Sequence, residues 1–254
     1  MPPPLTKAFV FAAGLGTRLR PYTLHTPKPL LEVFGRPLLE YLLCYLRDAG
    51  IRHVTVNAAH LAEQFEALPA RGSALGLDVV LSRQPAPLEH GGDLAYATAF
   101  FEGLAPDERF VALNGDTLFW LDPAALHRAA QSVSPEEPLL IVTHTSATNP
   151  LRVRGGRLVG IRDLPYSDEE PEGAADDFGL KVFHAGVRRF LPMPGVAMSL
   201  HGREGLIGRV IASGATVRVR PAEGAERVEI GTVADYEGRA SNAALRALTA
   251  RLCG

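Results

Sequence analysis

The stretch Lys7–Pro21, KAFVFAAGLGTRLRP, decides how the fold of this chain is interpreted. It begins with a short apolar run, which predicts a buried first strand over residues 7–13. Gly14 and Gly16 follow at once, and glycines there let backbone N–H groups approach an anion without obstruction by side chains. In an open α/β sheet, ligands bind at the carboxyl ends of the strands. The stretch therefore predicts a phosphate-binding turn directly after the first strand.

Two common phosphate-binding motifs do not match this glycine loop, which we define as residues 14–21. A dinucleotide-binding turn needs a third glycine where the chain has Leu19, and a Walker loop needs Gly-Lys-Ser/Thr, which is absent. A plain strand-to-loop turn would also account for two glycines. The hydroxyl of Thr17 and the forked cation of Arg18 favour phosphate binding instead, because both can donate to phosphate oxygens. Lys28, ten residues after Arg18, can add a second cation around one polyphosphate.

Through residue 149, short apolar strands alternate with helical patterns. This alternation predicts a largely parallel sheet covered by helices on both faces. Beyond residue 149, paired glycines in 151–161 predict a hairpin, and the acidic stretch 164–177 predicts a flexible loop. A closing helix is expected over 234–252.

Neither a long linker nor an internal repeat interrupts the chain. We therefore expect a single domain over residues 1–254, with a nucleotide-binding half at about 1–149 and a second lobe at about 150–254.

The composition excludes several classes of protein. Lys and Arg number 26 against 28 for Asp and Glu, so no basic excess supports nucleic-acid or membrane-surface binding. The N-terminus lacks the pattern of a signal peptide, and no apolar stretch approaches the length of about 18 residues that a membrane span requires. We therefore expect a soluble, cytoplasmic protein. The two cysteines, Cys44 and Cys253, suggest neither a disulfide framework nor a metal site.

Four segments together resemble the sugar-phosphate nucleotidyltransferase family. They are Phe11–Pro21, Thr26–Val33 (TPKPLLEV), Gly35–Tyr41 (GRPLLEY) and Leu113–Asp116 (LNGD). The resemblance is strong in the first half of the chain and weaker beyond it. It implies a three-layer α/β/α sandwich with a mostly parallel mixed central sheet. It also implies a Mg²⁺-dependent reaction in which a nucleoside triphosphate and a sugar 1-phosphate give an NDP-sugar and pyrophosphate. Members are often oligomeric, so the resemblance also leaves room for a homo-oligomer.

The resemblance assigns roles to residues of the glycine loop and of the segment after it. It places Ala13, Gly14, Gly16 and Thr17 around the nucleotide and its phosphates. Arg18 would neutralise charge on the triphosphate, and Lys28 would hold the sugar phosphate against the α-phosphorus. The alternative for Lys28 is an ordinary exposed lysine between two prolines.

Two carboxylates are the candidate magnesium ligands. Asp116 follows a predicted strand, which places it at the sheet edge of the glycine loop, and Mg²⁺ commonly takes one or two carboxylates plus phosphate oxygens. The alternative is a turn-forming Asp in Asn-Gly-Asp. The resemblance implies a second ligand from an Asp-Val-Gly-Thr-like segment, which here reads Glu229-Ile230-Gly231-Thr232. Glu229 is one methylene longer than Asp, and it could instead simply end a strand.

The remaining assignments concern the base and the acceptor. The resemblance places Gln84 and Gly91 against the nucleobase, and it assigns Asn114 and Gly179 to the acceptor. A side-chain amide such as that of Gln84 can read a base edge as donor and acceptor. The chain departs from the family pattern at Glu89-His90 and at Phe178, which leaves the identities of base and sugar open.

Two other functions remain compatible with the sequence. A cytidylyltransferase acting on a non-sugar phosphate such as phosphocholine would need the same glycine loop and Lys28. A non-catalytic subunit that binds a nucleotide sugar would account for the departures at Glu229 and Phe178. The presence of Arg18, Lys28 and Asp116 argues against the second alternative.

Overall fold

The computed structural model describes residues 4–144 and 150–253. The described residues form two compact units that alternate along the chain. The first unit contains the described residues of 6–87, 114–123 and 224–253, and the second contains those of 4–5, 88–113, 124–144 and 150–223. The expected division of a single domain near residue 149 stays a prediction.

The strands are β1 (Lys7–Phe11), β2 (Glu32–Val33), β3 (Arg36–Pro37), β4 (His53–Ala58), β5 (Asp78–Arg83), β6 (Arg109–Asn114), β7 (Thr117–Trp120), β8 (Leu139–His144), β9 (Leu151–Arg154), β10 (Arg157–Ile161), β11 (Leu164–Pro165), β12 (Gly173–His184), β13 (Val217–Pro221) and β14 (Glu226–Glu229). The α-helices are α1 (Leu38–Asp48), α2 (Leu68–Ala74), α3 (Glu89–Tyr96), α4 (Thr98–Glu102), α5 (Pro123–Ala130), α6 (Leu206–Ala212), α7 (Val233–Glu237) and α8 (Ala243–Cys253).

A parallel sheet of β1, β4 and β5 forms the centre of the first unit. The apolar run predicted as the first strand is β1, and Phe9 and Val10 in it are fully buried. The chain leaves β1 at its carboxyl end and enters the glycine loop, as the sequence predicts. Parallel strands place their carboxyl ends at one edge, so this edge collects the polar residues that follow each strand.

A two-stranded antiparallel ribbon of β7 and β14 belongs to the same unit. It joins segments more than a hundred residues apart, and its register pairs Glu229 with Thr117. Helix α8 packs against both strands and against α1. Arg251 of α8 forms an ion pair with Glu226, and its guanidinium lies 3.2 Å from the centre of the Trp120 ring. The C-terminal helix therefore supports the ribbon that carries Glu229.

The second unit is built around the long strand β12, which runs antiparallel to both β6 and β8. Strand β13 is parallel to β8, and β10 pairs antiparallel with β13, β9 and β11. The expected α/β class with a mixed sheet is confirmed. Parallel pairs form the sheet of the first unit, and antiparallel pairs predominate in the second.

Three local predictions were wrong. The acidic stretch 164–177 is not wholly a loop, because residues 173–177 belong to β12, where they pair with β9 and β8. The sequence pattern of residues 61–68 predicts a helix, but Ala62–Phe65 form a short 3₁₀ turn before α2. The closing helix is divided into α7, a 3₁₀ turn and α8, and the side chain of Asn242 accepts a hydrogen bond from the N–H of Leu245 where α8 begins.

The cysteines contradict the sequence-based prediction, because Cys44 and Cys253 form a disulfide. Their Cα atoms lie 5.8 Å apart, within the usual range for such a bond. Cys44 is buried on α1, and Cys253 is the last residue of α8. The disulfide was not predictable from spacing, because the two residues are 209 positions apart and meet only when α8 packs on α1.

No helix within residues 4–144 and 150–253 is long and apolar enough to cross a membrane.

Candidate active site

Contacts of Gly16 with Thr23 and Leu19 fix the conformation of the glycine loop. Gly16 adopts a left-handed conformation, with φ of 60°, and its carbonyl accepts hydrogen bonds from the Thr23 hydroxyl and the N–H of Leu19, both at 2.9 Å. A Cβ atom at position 16 would lie 2.9 Å from Cγ2 of Thr23. Glycine is therefore required there for its conformation and for the close approach of Thr23.

The loop presents its backbone to solvent. Ala13 is buried at the end of the strand, whereas Gly14, Thr17 and Arg18 are exposed. Within the described residues, the backbone N–H groups of residues 14–17 donate to no protein acceptor. A row of such N–H groups is an anion-binding surface. The loop thus has the open N–H groups that a phosphate-binding loop requires, and its binding of phosphate stays a prediction.

A residue that the sequence did not reveal supports this loop. Asn57, at the end of β4, is completely buried, and its Oδ1 accepts a hydrogen bond of 2.6 Å from the N–H of Ala12. Its Nδ2 donates to Oε1 of Gln84 at 3.3 Å. Nε2 of Gln84 donates in turn to the carbonyl of Ala86. Gln84, predicted to read the base, is therefore a buried link between the loop and the segment after β5, and its base contact stays a prediction.

Lys28 is not an ordinary surface lysine. It begins a 3₁₀ turn between Pro27 and Pro29, and its side chain is only 7% exposed. Its Nζ lies 2.8 Å from Oδ2 of Asp116. A buried lysine needs a partner for its charge, so the turn and the carboxylate fix the ammonium at one point. The structure thus brings together Lys28 and Asp116, which are 88 residues apart in the chain.

Asp116 is positioned by the glycine before it. The N–H of Gly115 donates to the carbonyl of Phe11 at 2.9 Å, which ties this turn to the end of β1. Burial by itself would raise the pKa of Asp116. The charge of Lys28 and hydrogen bonds from Lys28 and Thr117 outweigh burial and lower that pKa. The carboxylate is therefore ionised at neutral pH, as a metal ligand must be.

Glu229 lies at the end of β14 and contacts two arginines. Its Oε1 is 3.6 Å from Nη2 of Arg18, and its Oε2 is 3.1 Å from Nη2 of Arg227. The register of the ribbon sets Glu229 opposite Thr117, the residue after Asp116. Glu229 therefore ends one strand of the ribbon, Asp116 directly precedes the other, and each of these carboxylates contacts one of the predicted phosphate cations.

The donor set of this region fits Mg²⁺. Asp116 and Glu229 offer only oxygen atoms, and Mg²⁺ is usually bound by one or two carboxylates with the substrate phosphates and water completing its shell. Within the described residues, no cluster of three or more His, Cys, Asp and Glu side chains could hold a metal by itself.

The second unit contains two of the predicted site glycines, Gly91 and Gly179. Gly91 lies in the first turn of α3, and its N–H donates to the carbonyl of Met198 at 2.8 Å. A Cβ atom at position 91 would lie 2.8 Å from Cγ of Met198, so glycine permits close packing there. Asn114 is the last residue of β6. The roles of Gly91 toward the base and of Asn114 and Gly179 toward the acceptor stay predictions.

Gly179 lies in an irregular part of β12, where the register shifts between Asp177 and Lys181. It has a φ of 93°, and its N–H donates to Oδ1 of Asp177 at 2.8 Å. Oδ2 of Asp177 lies 2.7 Å from Nζ of Lys181, whose side chain is 2% exposed. Phe178 between them is buried rather than exposed toward solvent. The sequence did not reveal this ion pair. Asp and Lys are four residues apart on one strand, and only the register shift, which the sequence does not show, lets their side chains meet.

The Asp177–Lys181 pair should make the stability of the protein sensitive to acid. Burial would raise the pKa of Asp177, but the charge and hydrogen bond of Lys181 outweigh burial and lower that pKa. The ionised carboxylate therefore stabilises the folded state above about pH 4, the pKa of Asp in an unfolded chain, and this stabilisation disappears as the pH falls below that value. We expect Asp177→Asn to lose about 3 kcal/mol at pH 7, because it leaves Lys181 buried without a counter-charge.

Urea unfolding of wild type and Asp177→Asn between pH 7 and pH 3 measures this effect. The difference in unfolding free energy between wild type and Asp177→Asn should shrink below about pH 4. In that range the unfolded wild-type chain binds a proton at Asp177 before the folded protein does. Asp48→Asn, at an exposed carboxylate on α1, is the matched control and should show a small difference at every pH. A gap between wild type and Asp177→Asn that stays constant down to pH 3 would contradict the assignment.

The chain is similar to known nucleotidyltransferases in sequence and in fold. Residues 7–151 match the family model described as nucleotidyl transferase. N-acetylmuramate alpha-1-phosphate uridylyltransferase of Neisseria meningitidis is 41% identical over 128 residues, which are 50% of this chain and 54% of that protein. UTP–glucose-1-phosphate uridylyltransferase of Synechocystis sp. is 30% identical over 249 residues, which are 91% of this chain and 61% of that protein. The chain thus spans between half and two thirds of the length of these two relatives.

The fold is shared with solved structures of low sequence identity. The inositol-1-phosphate CTP transferase from T. maritima superposes with a TM-score of 0.70 at 20% identity, covering 99% of this chain and 98% of that one. This likeness confirms the nucleotide-diphospho-sugar transferase fold. Since the family model covers more than half of the chain, including the glycine loop, Lys28 and Asp116, the chain belongs to the nucleotidyl transferase family.

Proposed function

We propose that the protein is a Mg²⁺-dependent sugar-1-phosphate nucleotidyltransferase, which converts a nucleoside triphosphate and a sugar 1-phosphate into an NDP-sugar and pyrophosphate. The observation that carries the proposal is the arrangement of the first unit, in which the open N–H groups of the glycine loop, Arg18, Lys28 and two carboxylates occur together. The named activities of the two relatives, both uridylyltransferases acting on sugar 1-phosphates, support the same reaction class.

In this proposal the glycine loop binds the triphosphate. Backbone N–H groups of residues 14–17 donate to phosphate oxygens, and Arg18 neutralises the charge that leaves with pyrophosphate. The exposed side chain of Arg18 can reach a ligand without moving the backbone, since 69% of its surface is accessible. Asp116 and Glu229 would hold Mg²⁺, which supplies positive charge at the phosphates when it is bound.

Lys28 holds the attacking phosphate against the α-phosphate of the triphosphate, so it contacts both substrates. A phosphate monoester is largely dianionic at neutral pH, since its second pKa is about 6, so it can attack the α-phosphorus without a general base. What the chain must provide is alignment of the attacking oxygen and charge neutralisation. The restrained ammonium of Lys28, fixed by its 3₁₀ turn, can do both.

The proposal includes three properties that stay predictions. Mg²⁺ dependence rests on the fit of the two carboxylates. Homo-oligomer formation rests on the family resemblance alone. A cytoplasmic location rests on the sequence analysis alone, and the disulfide is unusual for a reducing compartment.

The proposal is tested by giving the purified protein each common nucleoside triphosphate with a panel of sugar 1-phosphates, and with phosphocholine, and measuring pyrophosphate. We expect release with one pair of substrates, and EDTA should abolish it. Release only with CTP and phosphocholine would identify the alternative acceptor. Tight binding of a nucleotide sugar without turnover would identify a regulatory subunit and refute the proposal.

Asp116→Asn should remove the response to Mg²⁺. The amide cannot provide the negative charge that the ion requires, so activity should fall by at least about a hundredfold at saturating Mg²⁺. Titration of activity with Mg²⁺ measures the effect. Asp122→Asn, six residues further along the same segment, is the matched control and should keep the wild-type titration curve. A normal Mg²⁺ titration in Asp116→Asn would remove this residue from the metal site.

A further inference from the structure

The charged groups of the candidate site neutralise one another in pairs. Lys28 and Arg18, which are assigned to phosphates, each contact one of the carboxylates that are assigned to the metal. The Lys28–Asp116 pair is short, at 2.8 Å, and the Arg18–Glu229 pair is longer, at 3.6 Å. Each phosphate-binding cation therefore already has an anionic partner that belongs to the protein.

The two pairs differ in strength. The Lys28 side chain is 7% exposed, and within the described residues Asp116 is its only ion-pair partner. Arg18 and Glu229 are 69% and 40% exposed, so water competes with their contact. Glu229 also keeps Arg227 on its other oxygen. Asp116 therefore holds Lys28 much more firmly than Glu229 holds Arg18.

A carboxylate and a phosphate oxygen compete for the same ammonium or guanidinium donors. We propose that Asp116 and Glu229 are internal competitors of the triphosphate. Asp116 occupies Lys28 and Glu229 occupies Arg18, and each carboxylate releases its cation when it binds a divalent ion. This inference rests on the proposed function and adds a regulatory property to it. The metal-free site discriminates against nucleotide because the chain satisfies its own cations.

The competition has an unusual consequence for a metal ligand. Removing the charge of Asp116 should strengthen the binding of nucleotide that carries no metal, because Lys28 loses its competitor. The dissociation constant of metal-free triphosphate should fall about tenfold in Asp116→Asn, the change that corresponds to about 1.4 kcal/mol. Glu229→Gln should give a smaller gain of about twofold, since its pair is exposed.

The experiment is isothermal titration calorimetry of each nucleoside triphosphate in excess EDTA. Glu237→Gln is the matched control, because it removes one negative charge from the same unit. Glu237 accepts a hydrogen bond from Tyr22 at 2.8 Å and contacts neither Lys28 nor Arg18. It should leave the metal-free dissociation constant unchanged within a factor of about two, which excludes a general effect of net charge.

A double variant identifies the cation responsible. In Lys28→Met/Asp116→Asn the tenfold gain should vanish, because the released ammonium is absent. If Asp116→Asn does not fold, as judged by thermal melting, Glu229→Gln and Arg18→Met/Glu229→Gln apply the same test at the exposed pair. Unchanged or weaker metal-free binding in a folded Asp116→Asn protein would overturn the proposal.

Failure of this inference is distinguishable from failure of the proposed function. Wild-type protein that binds the Mg²⁺–triphosphate complex and turns it over satisfies the proposed function whatever the EDTA titrations give. If wild type binds no nucleoside triphosphate even with Mg²⁺, both the proposed function and this inference are refuted.

Discussion

Replacing Lys28 by Met should reduce kcat/KM for the sugar 1-phosphate about a thousandfold, the upper range for removing one positioned charge from a reacting centre. The side chain is nearly buried, and its ammonium is fixed by a 3₁₀ turn and a 2.8 Å contact with Asp116. Methionine keeps most of its volume, so packing is retained. Asp116 loses its partner, but its side chain is 35% exposed, so water solvates it in part and the loss of stability should be much smaller than the loss of activity.

Steady-state kinetics and thermal melting of the same preparation separate the two effects. We expect the loss mainly in kcat, because the ammonium acts on the phosphate as it transfers rather than on substrate binding alone. Arg20→Met is the matched control, since Arg20 is an exposed cation of the same loop. It should keep kcat within about threefold of wild type, as expected for a charge without a defined contact. Wild-type rates in Lys28→Met would exclude this lysine from the mechanism.

The glycine loop, Lys28 and Asp116 could be located from the sequence because each lies next to a strong local signal. A buried strand followed by glycines favours a turn at the carboxyl end of the strand, and in a parallel sheet that end lies at the ligand-binding edge. The contact of Lys28 with Asp116 was not predicted, because the sequence does not show that these two residues meet. Fold class was therefore accessible without a structure, whereas the roles of these three segments in a site stay predictions.

Contacts that depend on distant partners were not accessible. Asn57 supports the loop only because β4 lies beside β1, and nothing in its local sequence marks it. Residues 173–177 look like a solvated acidic loop, yet β8 and β9 provide the pairing that makes them a strand. Composition favours disorder there, and long-range hydrogen bonds override it. The same reasoning explains why Arg227 beside Glu229 was missed.

Opening the disulfide should produce the largest change in stability. Cys44 and Cys253 enclose a loop of 209 residues, and in the chain-entropy model a cross-link over that length restricts the unfolded chain by about 5 kcal/mol. We expect Cys253→Ser to lose about 3–5 kcal/mol, the usual range for a native disulfide, and to melt about 10 °C lower. Serine at this chain end creates no large cavity, so the loss reports the cross-link itself.

Dithiothreitol provides the matched comparison. It should lower the melting temperature of wild type to that of Cys253→Ser and leave the variant unchanged, because the variant has no disulfide to reduce.

Helix α8 packs on β7 and β14, which hold Thr117 and Glu229, so a loosened helix should also weaken Mg²⁺ binding more than it weakens metal-free nucleotide binding. If dithiothreitol does not affect wild type and mass spectrometry under non-reducing conditions finds two thiols, the C-terminal helix is held by packing and by Arg251 alone. In that case the expected cytoplasmic location no longer conflicts with the chemistry of the cysteines.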